Sequence, residues 1–274
     1  MISVAGMPTM LALKLVDATE EKQRDLIRTS AQHARAIHHF RENIADVETV
    51  DQLMADPELY GFVMRAFDLE DQIFGKAMMS KILKSNIEES DALVNRLTDS
   101  RFKALYREMG FGTDGVGNIN TILKGWQDRM VDRYVDRQFV NAQSAENETL
   151  GTVLEFRRKV GSITKPLDVL KDRDLTGFFQ TALGLPAQLS GLNIDRQVEV
   201  LSKKFDFEKL KDPEEVDRLV SRYVAISDAT RGVSAIQNGA ITLMQGAVNG
   251  SGGFLSAVID IDAIQRANPR YFVR

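Results

Sequence analysis

The chain has 274 residues, 43% of them hydrophobic and 27% charged, with a formal net charge of −4 and a pI near 5.6. That is an ordinary globular composition; it excludes a disordered or fibrous chain and gives no support for nucleic acid as a partner. The lack of cysteine excludes disulfides, thiol catalysis and thiolate metal sites, and no apolar run is long enough to span a bilayer as a helix.

Met1 to Leu15 mixes apolar residues with Gly6 and Pro8 and reads as an extended arm, without the basic start and apolar core of a secretory signal. Asp17 and Glu20 form a capping-box pair, and Ile27, Ala31, Ala34, Ile37, Phe40 and Ile44 then advance in threes and fours. This predicts one long amphipathic helix over about 18–43. A short helix follows around 49–54. Asp56-Pro57 then reads as an N-cap with proline at the first helical position, where its missing N–H costs nothing.

The helix from Asp56 to about Phe67 is the one around which the rest is arranged. Leu59, Phe62, Val63, Ala66 and Phe67 make its buried stripe. A helix over 71–85 should turn Phe74, Ala77, Met78 and Ile82 inward. Ser90 reads as the cap of a short turn with Leu93 and Leu97, and 99–109 as a helix with Phe102, Leu105, Tyr106 and Met109 on one face. No run alternates with period two, so no strand is expected in this half.

Residues 110–118, GFGTDGVGN, break the chain. A long helix is expected from Ile119, with Leu123, Trp126, Met130 and Tyr134 inward and an interruption near 144–147. The elements before the break then return: Pro166 to Leu170, Asp172 to Leu183, and a helix carrying Ile194, Val198, Leu201 and Phe205. Asp56, Leu59, Gly61, Phe62, Ala66 and Leu69 recur 116 positions on as Asp172, Leu175, Gly177, Phe178, Ala182 and Leu185. Asp212-Pro213-Glu214-Glu215 starts a last long helix carrying Val216, Leu219, Val220, Tyr223 and Val224, its pattern running to Leu243, before the glycines of 249–253. Residues 254–264 read as a short helix or, over FLSAVIDID, an edge strand.

The sequence therefore predicts an all-α protein of two tandem related helical modules, an internal duplication with long connecting helices. The first module takes 1–112 with the arm and first long helix, and the second 113–274.

No motif singles out a catalytic, cofactor-binding or metal-binding residue. Gly110-x-Gly112-x-x-Gly115 lacks the preceding strand that a dinucleotide site requires, so it reads as a flexible connector between modules. His33, His38 and His39 are spaced by five and one, which does not place two imidazoles on one helix face for zinc, so they read as solvated surface residues. Glu70-Asp71 and Glu88-Glu89 fall at helix boundaries and read as structural; Asp260 and Asp262 stay open. Met54, Met64, Met78 and Met79 read as core filling rather than a partner groove. The Asn147-Glu148-Thr149 sequon has no expected secretory route behind it.

At Ala66-Phe67-Asp68-Leu69-Glu70-Asp71, Lys76-Ala77, Lys81-Ile82-Leu83 and Asn95 to Phe102, the sequence resembles a bacterial domain-of-unknown-function family whose genes are commonly found among flagellar genes. The likeness covers about 44–112 well and the second module more weakly. It implies an all-helical repeated fold and a connection with flagellar assembly or function, through gene neighbourhood rather than chemistry. No site residue can be carried over from it.

The expectation is a non-enzymatic structural or interaction protein with a flagellar component as partner. Its contact element would be the helix Leu219 to Leu243, used alone or with a second copy. It would have no cofactor, no nucleic acid and no integral membrane segment, and would lie in the cytoplasm or, as flagellum-associated or exported protein, beyond it. The alternative is a small-ligand-binding protein or an unrecognised enzyme with its site between the two modules.

Overall fold

The computed structural model describes the backbone of residues 2–248 and the side chains of residues 2–230. Among the described residues it contains α-helices and short 3₁₀ turns and no strand, only an isolated bridge between Thr49 and Val116. The chain divides into two units, Met1–Ser227 and Asp228–Arg274. Of the second, only the backbone helix to Val248 and the side chains to Thr230 are described. The expected boundary between residues 112 and 113 falls inside the first unit. The segment 254–264, with Asp260 and Asp262, and the glycines 249–253 lie outside the described residues.

The N-terminal arm is shorter than expected, because helix α1 (Thr9–Thr29) starts directly after Pro8. Thr9, Ala12, Leu13 and Val16 bury one helical face, a period masked in the sequence by the equally apolar but exposed Met10 and Leu11. Asp17 and Glu20 are therefore mid-helix and cap nothing; they pair with Arg157 and Arg24. Nor is 18–43 one helix. Ser30 adopts extended backbone and separates α1 from α2 (Ala31–Asn43). The hydroxyls of Thr29 and Ser30 donate to the carbonyls of Asp25 and Ile27, a local bonding that competes with helix continuation.

Helix α3 (Val50–Ala55) opens with a capping box in which Thr49 and Gln52 satisfy each other's backbone. Helix α4 (Pro57–Ala66) starts as expected: Asp56 accepts from the N–H groups of Glu58 and Leu59, and Leu59, Phe62, Val63, Ala66 and Phe67 are buried. Next comes α5 (Lys76–Leu83), a helix later and shorter than the expected 71–85, because Glu70–Gln72 is a separate 3₁₀ turn. Its buried face is Met79, Ile82 and Leu83, while Phe74 precedes the helix and is 97% exposed. The period was right and the face rotated by one residue. Met64 and Met79 are core, and Met54 and Met78 pack against it.

Helix α6 (Leu93–Arg96) is preceded by Ala92, not capped by Ser90, and α7 (Ser100–Met109) is capped by Asp99. The glycine segment is tied down rather than a loose connector. Asn118 donates to the Met109 carbonyl, Thr121 to that of Val47, and Trp126 to that of Glu108. Gly115, at φ 74°, sits where a Cβ would meet Val50 and Lys84. Helix α8 (Lys124–Glu146) consequently starts later than Ile119, and Leu123 is exposed while Trp126, Met130 and Tyr134 are buried.

The interruption expected near 144–147 is present. Asn147 is extended and caps α9 (Glu148–Lys159), and a side chain at Gly151 would collide with Ser144 across the bend. There follow α10 (Pro166–Leu170), α11 (Arg173–Ala182), α12 (Ile194–Lys204) and α13 (Pro213–Val248). In α11 the expected stripe, Leu175, Phe178, Phe179, Ala182 and Leu183, is buried. In α12 Leu201 is buried but Ile194 is exposed.

Two three-ring stacks hold the core. Phe62 of α4 stacks on Phe40 of α2 and on Tyr134 of α8, with ring centroids 4.3 Å apart in each pair. Phe178 of α11 stacks in the same way on Phe156 of α9 at 3.9 Å and on Tyr223 of α13 at 4.5 Å. Phe40 and Phe156 are separated by the same 116 positions as Phe62 and Phe178. Such pairs add to the burial of large apolar area a geometric preference worth about 1 kcal/mol each.

Candidate functional site

Between the ends of α4 and α7 on one side and α9 and α11 on the other lies a cleft of about 1120 Å³. Its walls are built by helix termini and by one face each of α8 and α9. The corner after α4 supplies Ala66, Phe67 and Asp68; the start of α7 supplies Asp99 and Arg101. Helix α8 contributes Arg133 and Arg137 at i, i+4, and α9 contributes Glu155, Arg158 and Lys159 at i, i+3, i+4. The start of α11 contributes Asp172 and its neighbours.

An alternating chain of charge crosses this cleft. Asp99, which caps α7 by accepting from the Arg101 N–H, takes the Arg101 guanidinium at 2.7 Å. Arg101 lies 3.4 Å from Asp68 and also donates to the Asp68 carbonyl. Asp68 is 3.4 Å from Arg137, only 8% exposed, which donates to Glu155 at 2.8 Å. Glu155 takes Lys159 at 3.0 Å, and Lys159 reaches Asp172 at 2.6 Å. Asp172 in turn caps α11, accepting from the N–H groups of Asp174 and Leu175. The ends of two helices are thus joined through seven side chains.

Burial and neighbours divide these groups. Burial alone would raise the Glu155 carboxyl, but Arg137 and Lys159 overturn this and hold it below the usual range. Asp99 is likewise held low, its burial outweighed by the hydrogen bonds from Arg101. Asp68 goes the other way: burial pushes it up despite Arg137 and Arg101. Its backbone is also left-handed, at φ 60°, a conformation that aspartate adopts more readily than most residues. Burial would lower Lys159, yet Glu155 and Asp172 keep its ammonium above the ordinary range.

Two arginines stand outside the chain. Arg133 lies over the Phe67 ring at 4.1 Å and donates through Nε to the Ala66 carbonyl; among the described residues no carboxylate lies within 4 Å of it. The nearest carboxylate to Arg158 is Glu155 at 3.9 Å, already taken by Arg137 and Lys159. Burial lowers both guanidinium groups from their ordinary value.

The residues weighed in the sequence lie elsewhere. His33 and His39 are half-buried rather than solvated: His33 shares a hydrogen bond of 2.8 Å with Tyr134, and His39 meets the second oxygen of the capping Asp56 at 2.7 Å. His38 is exposed and pairs with Glu42. Among the described residues no His, Asp and Glu gather into a group that could hold a metal. Helix α7 precedes Gly110, so no strand leads into the glycine segment. Glu70 pairs with Arg65, and Glu88 and Glu89 are exposed. Asn147 is used inside the structure, where it caps α9 and donates to Thr9. The cleft residues went unnoticed in the sequence, though one trace existed: Arg137 stands among the apolar Val135, Phe139 and Val140 on the inward side of α8.

The fold and the cleft define an all-α protein without a membrane-crossing helix among the described residues. The chain belongs to the family described as protein of unknown function (DUF1217), whose model matches residues 66–216. Every cleft-lining residue, from Ala66 to Gln197, lies within that span. The chain is also similar to the crystal structure of protein AGR_C_984 from Agrobacterium tumefaciens, at 26% identity and a TM-score of 0.70, over 83% of this chain and 96% of that one. No match was found among the curated proteins.

Proposed function

We propose that this is a non-enzymatic helical interaction protein with a flagellar protein as partner. The observation that carries the interaction is an exposed apolar run on a surface that is itself held in place. Val116, Ile119, Ile122 and Leu123 are each more than half exposed, on the segment fixed by Asn118, Thr121 and Trp126. Ordered exposed apolar patches mark contact surfaces. The N-terminal part of the helix first expected to make the contact is less suited, because Leu219, Val220, Tyr223 and Val224 are buried within the first unit. The absence of chemistry is supported by the cleft, whose carboxylates are tied to cations along the chain from Asp99 to Asp172. The flagellar connection rests on the family resemblance alone. Deletion of the gene should impair swimming, and the protein should capture a flagellar component from native cells. Normal motility with no such capture overturns the reading.

The cleft itself favours a second reading, a small-ligand-binding protein or an enzyme with its site between the two modules. Asp68 carries that reading: a carboxyl pushed up by burial, on left-handed backbone, facing a cavity, is the pattern of a functional group.

A further inference from the structure

We infer that the cleft binds a small molecule bearing carboxylate or phosphate groups, gripped between Arg133 and Arg158. The inference rests on the second reading above, that the cleft is a ligand site, and names the ligand's chemistry.

The first argument is charge. The whole chain carries −4, yet the cleft is lined by seven Lys and Arg residues against five Asp and Glu. The alternating chain uses four of those acids to hold three of the cations. The positive excess therefore sits outside the alternating chain, on groups that include Arg133, with no carboxylate within 4 Å among the described residues, and Arg158, which shares Glu155 at 3.9 Å with Arg137 and Lys159. Taking a guanidinium partly out of water without a counter-charge is unfavourable, and an anion between the two removes that penalty.

The second argument is orientation. Arg133 is held at two points: its guanidinium carbon lies over the Phe67 ring at 4.1 Å, and Nε is spent on the Ala66 carbonyl. That leaves the terminal nitrogens of a rigid planar fork, the geometry that matches carboxylate and phosphate oxygens two at a time. Arg158 comes from a different helix and is not hydrogen-bonded among the described residues. Two cations from α8 and α9 facing one cavity can share a ligand that neither could hold alone.

The third argument is size and polarity. A cavity of about 1120 Å³ is far larger than one phosphate or carboxylate group, so the anion is carried on a larger body or repeated within it. The charged lining disfavours the mostly apolar ligands that fill typical pockets of this volume.

The test is titration of the intact protein with pyrophosphate and with citrate, followed by calorimetry at constant ionic strength, with sodium chloride as control. One of the two should bind saturably where chloride does not, and which one binds separates the phosphate source from the carboxylate source. Arg158→Gln should weaken binding about tenfold or more, while Arg107→Gln, an exposed arginine outside the cleft, should leave it unchanged. Arg133→Lys keeps the charge and loses the fork, so it should weaken binding while the unliganded melting temperature stays close to that of the parent. Hydrogen exchange at the starts of α7 and α11 should slow on binding. Binding and slowed exchange that survive both substitutions overturn the arginine assignment and leave the cleft as the site. Binding without slowed exchange there, or no binding of either anion beyond chloride, overturns the inference together with the reading beneath it.

Discussion

Gly184 holds at φ 63° the left-handed turn that Asp68 holds at φ 60°, 116 positions earlier. Both residues follow the C-terminus of an organising helix. In both turns the next N–H reaches back, from Leu69 to the Met64 carbonyl and from Leu185 to that of Gln180. A Cβ at Gly184 would meet no atom within 4 Å, so Gly184→Ala should cost about 1 kcal/mol through backbone strain alone. Gly184→Asn should cost less, because asparagine tolerates the conformation. Urea unfolding of the two variants checks this; equal losses would show that the loss comes from packing instead.

Phe62 and Phe178 are the middle rings of the two stacks, and both are almost fully buried. Truncating either to alanine should cost about 3–5 kcal/mol, from lost transfer energy and the cavity left behind. The measurement is the denaturant midpoint of each single variant. A loss under about 1 kcal/mol for either would mean that its stack is replaceable by repacking.

Glu155 is 14% exposed and holds Arg137, which is 8% exposed, so Glu155→Gln leaves a buried cation with a weaker partner. At neutral pH this should cost about 3 kcal/mol, tempered by the contact of Arg137 with Asp68. The sign with pH follows from the depressed carboxyl. Its contribution is complete above the ordinary glutamate value of about 4.3 and disappears as the pH falls through the lower folded value. Asp68 is raised, so its ionisation costs stability and acidification relieves that cost, opposite in sign to the effect at Glu155. Stability of the parent and Glu155→Gln should therefore converge at low pH, measured by thermal melts across the acid range; parallel curves would contradict the assignment.

Asp56 and Asp172 cap α4 and α11 through the same pair of backbone bonds, and loss of either cap should cost about 1 kcal/mol. Asp56→Ala also releases the His39 ring at 2.7 Å, and Asp172→Ala the Lys159 ammonium at 2.6 Å; Asp172→Ala should cost more, because only Lys159 ties its cap into the cross-cleft chain. Asp172→Asn keeps the cap and drops the charge, so its loss relative to the parent isolates the ion pair, and the further loss in Asp172→Ala isolates the cap. Equal losses for Asp56→Ala and Asp172→Ala would remove the cross-cleft link from the account.

What the sequence made legible was local. The stripes of α4 and α11, the caps at Asp56, Asp172 and Asp212, and the break before α9 are signals spelled out within a few residues. The errors arose where neighbours competed for the same pattern. Met10 and Leu11 hid the buried period of α1, and Phe74 offered an apolar residue that the structure turns to solvent. At Ser30 the side chain, not hydrophobicity, ended the helix. The cleft was beyond local reading, because Asp68 meets Arg137 and Asp99 is linked to Asp172 only after the chain has folded back. Opposite charges far apart in sequence leave no periodic trace.

The third ring of the first stack comes from Tyr134, beyond the glycine segment, whereas Phe40 and Phe62 precede it. During synthesis those two phenylalanines therefore emerge well before their cover, and the first half of the molecule cannot finish closing until the long rod that also begins the second half has left the ribosome.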